Sequence, residues 1–199
     1  GGLALLALLA IQAQVFAPRP LALTRAQHAG LWALAVLGTV QIALGGWVST
    51  NYAVLACTDF PTCQGSWWPP MDFDHAFTLR RELGIGADGG YLPFPALTAI
   101  HYAHRLAAYV VLAVMGVVAA LLAAKHRRAA LTVAGVGAWQ LATGLSNVVL
   151  GWPLLAAVAH TAGAAALVLL LAVLLTRAAF ARRAVAPAPA PTGRVGLAS

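Results

Sequence analysis

The chain has 199 residues, 61% of them hydrophobic and 9% charged, with a net charge of +7 at pH 7. A soluble domain carries roughly 25% charged residues, so this composition excludes one and predicts an all-α integral membrane protein. The bases fall in short segments between apolar runs and in the tail, a topological pattern that gives no reason to expect a nucleic-acid partner.

Five apolar runs follow in order: Gly1–Phe16, Ala29–Thr50, Leu97–Ala124, Ala129–Leu150 and Leu154–Leu175. Helices are the open-ended structure that satisfies its own backbone in lipid, so each run predicts a membrane helix and the last four a four-helix bundle. Residues 29–175 form that domain, which includes a long loop, 51–96. Residues 1–16 are short for a span of about 20 residues. They lack the charged start and cleavage site of a signal peptide, and the chain opens on Gly-Gly rather than Met. A partial or short helix of an excerpted or processed chain is therefore expected. At the other end, 184–199 is an Ala/Pro-rich segment expected to be a disordered tail.

Lysine and arginine give the orientation. Arg19 and Arg25 follow the first run, Lys125, Arg127 and Arg128 the third, and Arg177, Arg182 and Arg183 the fifth. All three groups share one side if the runs alternate, and that side is cytoplasmic. The loop is then outside and the C-terminus inside, in a multi-pass protein of a bacterial inner membrane. The loop holds all five acids, Asp59, Asp72, Asp74, Glu82 and Asp88, with Arg80 and Arg81. Trp67-Trp68-Pro-Pro70 suits the membrane–water interface, and Asp72 to Leu83 reads as a short surface helix. Cys57 and Cys63, outside, are expected as a structural disulfide, with a redox-active pair as the alternative. His28, His75 and His126 are expected in solvated loops.

An ionisable group within a span marks a functional site. His101, His104 and Arg105 open the third run and His160 lies in the fifth. His104 follows Pro95 by nine residues and His160 follows Pro153 by seven, which puts them about 13 and 10 Å below those prolines. Two imidazoles at matched depth on parallel helices can ligate one iron from opposite faces, which predicts a haem. Ala107, Ala108 and Gly163, one turn below, are small enough to leave room for a macrocycle. Arg105 reaches toward the outer surface, to haem propionates or simply to the interface. His101 remains open as an alternative ligand, a propionate contact or a proton relay. A repeat supports the pairing: Gln41-Ile-Ala-Leu-Gly45 resembles Gln140-Leu-Ala-Thr-Gly144, and His104 and His160 fall in equivalent places on the helices that follow.

Gly45-Gly-Trp-Val-Ser-Thr-Asn-Tyr-Ala53, the Cys57…Cys63 loop with Trp67-Trp68-Pro69, His104-Arg105 and His160 together resemble the C-terminal half of the haem A synthase family, from about Leu31 to Leu175. The resemblance implies an eight-helix oxidoreductase of two four-helix halves. It further implies haem b, with its iron, between His104 and His160. Haem O would be oxidised at a methyl group to a formyl group in the other half, giving haem A. In that half a glutamate stands three positions before the histidine; here the offset holds His101, which implies an electron-transfer or supporting role. The fragment alone is expected to be inactive, its catalytic residues lying in the missing half. Membrane lipid, haem O synthase and terminal-oxidase subunits are the implied partners. The competing readings are a non-catalytic bis-His b-type cytochrome and a transporter or assembly factor.

Overall fold

A computed structural model describes residues 2–16, 19–80, 82, 84–86 and 89–185. Six helices follow in order: α1 (Gly2–Phe16), α2 (Arg25–Thr50), α3 (Phe73–Ala76), α4 (Phe94–Ala123), α5 (Arg127–Val149) and α6 (Leu154–Val185). Among the described residues there is no strand, only isolated bridges at Cys63–Ser66 and Ile85–Tyr91. Helices α2, α4 and α6 are long and apolar enough to cross a membrane. The other two apolar runs differ from these: α1 is shorter, and the 23 residues of α5 include Thr132, Gln140, Thr143, Ser146 and Asn147.

The elements overrun the apolar runs at several ends. α2 begins at Arg25, not Ala29, because Thr24 caps it: its hydroxyl accepts from Gln27 N (3.2 Å) and Gln27 Oε1 accepts from Thr24 N (2.9 Å). Such a reciprocal cap contributes about 1 kcal/mol. His28 is thereby in a helix rather than a loop. α4 starts at Phe94, where Pro95 fits the first turn because its missing N–H would be unpaired there. α6 continues through Arg182 and Arg183 to Val185, so the expected tail begins inside a helix and its remainder, 186–199, lies outside the described residues. The surface helix expected from Asp72 to Leu83 is the single turn α3, with Asp72 as its cap; Arg81, Leu83 and Asp88 lie outside the described residues.

Packing runs from α2 to α4, α4 to α5, α5 to α6 and back from α6 to α2, with α1 against α6. Gln27 at the start of α2 donates to Leu121 O near the end of α4 (2.8 Å), so these two are antiparallel. α6 ends where α2 begins, since Leu21 N donates to Arg177 O (3.0 Å); α4 and α6 therefore run the same way. One apolar core, with Leu31, Leu34, Met115, Val118, Leu122, Val133 and Leu171, fills the end nearest the bases. A second, with Val48, Ala96, Ala99 and Ile100, sits beneath the loop.

The loop is tied down along its length. Cys57 and Cys63 form a disulfide, Cα–Cα 4.8 Å. Inside that ring Asp59 accepts from Thr62 Oγ1 (2.5 Å), Gln64 N (2.7 Å) and Gly65 N (3.0 Å). These bonds, the Thr62 hydroxyl first, hold its carboxyl below the usual range. Gln64 Nε2 donates to Thr98 Oγ1 on α4 (2.8 Å), Tyr102 Oη to Trp67 O (2.5 Å), and Trp47 Nε1 on α2 to Ala76 O (2.9 Å).

Candidate functional site

Between the two cores the helices do not close. A cavity of about 860 Å³ lies there, lined by residues of α2, α4, α5 and α6, by Phe60 of the loop and by Trp152 of the turn between α5 and α6. His101, His104, Arg105 and His160, all singled out by sequence, line it together. Most of the remaining wall is apolar, including Ile42, Val111, Leu112, Met115, Leu145 and Leu167. Volume and lining are those of a small-molecule or cofactor site.

The two histidines sit in matching stations. A Cβ built on Gly45 would lie 3.1 Å from His104 Cε1, and one built on Gly144 would lie 3.1 Å from His160 Cε1. Each imidazole thus rests its edge on a glycine of the neighbouring helix, in space any other residue would fill. Four residues before each glycine is a glutamine. Gln41 Nε2 donates to His104 O (3.1 Å), and Gln140, oriented so that both amide ends are bonded, donates to His160 O (2.9 Å) and accepts from Ala164 N (3.3 Å). The repeat in the sequence contains these glutamines and glycines, but hydropathy alone assigns them no role. His101 has no counterpart, since Ala157 stands three before His160. Its Nδ1 donates to Ala53 O (2.9 Å), which pins α4 to the start of the loop and leaves Nε2 as the acceptor.

Arg105 is buried but does not rise freely to the surface. Its guanidinium donates to Thr62 O (2.5 Å), Pro61 O (3.5 Å) and Cys57 O (3.5 Å), and it lies 6.0 Å from the centre of the Phe60 ring. The disulfide ring is therefore a cradle of carbonyls for this cation. Among the described residues no carboxylate is in direct ion-pair contact with it; Asp59, in the same ring, acts on it through space.

Two further expectations change. Of the small residues expected to make room, Ala108 lines the cavity, but Ala107 does not. Gly163 faces α5 instead: a Cβ there would meet the Gln140 amide at 2.5 Å and Trp139 Cδ1 at 2.6 Å. It serves helix contact, not the cavity. His126 is at the cap of α5 with Nε2 donating to Ala22 O (3.0 Å), and His75 is in α3 with Nδ1 donating to Asp72 Oδ2 (2.6 Å). Neither lines the cavity.

Among the described residues no group of three or more His, Cys, Asp or Glu could hold a metal ion. Two imidazoles fall short of the four protein ligands of a structural zinc site; they suit a metal whose remaining ligands come with it, as in a macrocycle.

No solved structure matches the chain significantly. Heme A synthase of Shewanella oneidensis is 39% identical over 133 residues, 66% of this chain and 40% of that protein. Heme A synthase of Methylobacterium radiotolerans is 35% identical over 192 residues, 92% of this chain and 48% of that protein. That of a Caulobacter species is 35% identical over 147 residues, 68% of this chain and 38% of that protein. The chain thus spans less than half the length of these curated relatives. The COX15-CtaA family, described as cytochrome oxidase assembly protein, matches residues 1–173, and with that coverage the chain belongs to it.

Proposed function

We propose that this chain is the haem b-binding, C-terminal half of a haem A synthase. His104 and His160 would hold its iron. The carrying observation is the pair of matched stations, each with a histidine edge on a glycine and its backbone carbonyl on a glutamine, opening on one apolar cavity. The donor set fits a haem: two imidazoles for the iron, apolar walls for the ring, and the buried cation Arg105 for a propionate. His101 lacks a partner station and holds the loop over the cavity. When bound, a haem held by the two imidazoles would supply electron transfer. The chain's residues then orient the group, exclude water with Phe60 and the loop, and fix the imidazole tautomers. Oxidation of a haem O methyl group to the formyl of haem A belongs to the full-length oxidoreductase, whose other half holds the catalytic residues; the fragment alone is inactive. Haem O synthase and terminal-oxidase subunits are its candidate partners.

The matched stations also support α2, α4, α5 and α6 as one bundle domain, and the apolar α1 packed against α6 would be a fifth membrane helix. The bases put residues 51–96 outside a bacterial inner membrane and the C-terminus in the cytoplasm. The test is the haem spectrum of full-length protein. His104→Ala and His160→Ala should each convert a six-coordinate low-spin spectrum to high spin or lose the haem, the double variant should bind none, and His101→Ala should stay low-spin. An unchanged low-spin spectrum in the double variant overturns the assignment.

A further inference from the structure

The two stations agree in glutamine, glycine and histidine, and of the two positions at which they differ between glutamine and glycine one changes polarity. α5 has Thr143 three residues after Gln140; α2 has Leu44 three residues after Gln41. The Thr143 hydroxyl donates to Trp139 O (2.8 Å), so its lone pair accepts from His160 Nδ1 (3.0 Å). That contact leaves Nε2 of His160 bare and ready to ligate. Leucine offers His104 nothing equivalent. The ring faces the amide nitrogen of Gln41 instead, 3.1 Å from Nδ1 and 3.3 Å from Nε2. An amide NH₂ only donates, the wrong polarity for an imidazole that keeps its Nδ1–H while Nε2 binds iron. The other end of the same amide, Gln41 Oε1, is buried without a partner.

Resting on the ligand assignment above, we propose that Gln41 is a positioning residue whose amide turns over when His104 ligates. Oε1 then accepts the Nδ1–H of His104, the service Thr143 performs for His160. The turn gives up the bond to His104 O and moves the NH₂ to where Oε1 had no partner, so it is the Nδ1–H of a ligating His104 that drives it. Gln140 has no such freedom, because both ends of its amide are engaged. An acceptor on the far nitrogen makes an axial imidazole a stronger donor to its metal, so Gln41 sets the haem potential through His104.

The experiment measures midpoint potential and low-spin spectrum in full-length holoprotein carrying Gln41→Leu, Gln41→Glu, or Gln41→Leu with Leu44→Thr. Gln41→Leu should raise the potential, Gln41→Glu should lower it, and the added Leu44→Thr should return it toward wild type, all with low-spin haem. A packing role alone would not give opposite shifts. Equal or absent shifts with low-spin haem retained overturn the proposal and leave the ligands standing; a wild-type protein without a low-spin bis-His spectrum overturns the ligand assignment instead. Should Gln41→Leu fail to assemble, Gln41→Glu decides: a lowered potential supports the turnover, an unchanged or raised one rejects it.

Discussion

Gly163 occupies a place where one methyl group has nowhere to go, between the Gln140 amide and the Trp139 indole. The indole cannot swing aside freely, because its Nε1 donates to Ala159 O (2.9 Å). Gly163→Ala should therefore destabilise the fold by about 1–3 kcal/mol, the usual cost of overpacking, read as a lower thermal midpoint in detergent. Gly45→Ala and Gly144→Ala press on an imidazole 3.1 Å away and should perturb the proposed haem binding more than folding. At this scale the sequence was partly transparent. His104, Arg105, His160 and the cysteines announce themselves because polar groups are rare in such a chain. Gly163 did not, since a glycine that accepts a neighbouring helix and a glycine that lines a cavity look alike in sequence. Nor did the difference between Leu44 and Thr143, which acquires meaning only once a histidine is seen against one and an orphaned amide beside the other.

The outer loop depends on Asp59 and the disulfide around it. The carboxyl of Asp59 is held below its ordinary value, chiefly by the Thr62 hydroxyl and then by the amides of Gly65 and Gln64. A depressed carboxylate stabilises the fold above its unfolded value of about 3.9 and loses that contribution as pH falls through the lower folded value. The loop should hold from neutral pH to about 4 and loosen below; Asp59→Asn should remove this acid-dependent step, followed by tryptophan fluorescence. Replacing both cysteines by serine should cost less than the roughly 3 kcal/mol that chain entropy assigns to a 15-residue ring. It should also free Arg105 from its carbonyls, so that haem retention falls with stability, as measured by haem dissociation and thermal melting. Helix ends were the least legible feature of the elements. Spans that face lipid are apolar all round, so no amphipathic period marks where they stop. The Thr24 to Gln27 cap was the one written signal for α2, and it lies outside the apolar run.

For the whole molecule, charge gives the strongest expectation. An engineered cysteine at Ala124, beside Lys125 and Arg127 at the end of α4, should resist an impermeant thiol reagent applied from outside; labelling there would reverse the orientation. The all-helical character and the helix order were readable from hydropathy, whereas the contact of α6 with both α1 and α2 was not, because nothing in an Ala- and Leu-rich face names its neighbour. That contact is fastened by the segment before α2. Leu21 N donates to Arg177 O (3.0 Å), Arg177 Nε donates to Arg19 O (2.7 Å), and His126 Nε2 donates to Ala22 O (3.0 Å). Arg19 and Arg177 are 158 residues apart. During synthesis the bonds of residues 19 and 21 must therefore wait until Arg177 has emerged from the ribosome, whereas Ala22 can be fastened as soon as His126 has. The seam between α6 and the segment before α2 is thus completed only after α2, α4 and α5 have been made.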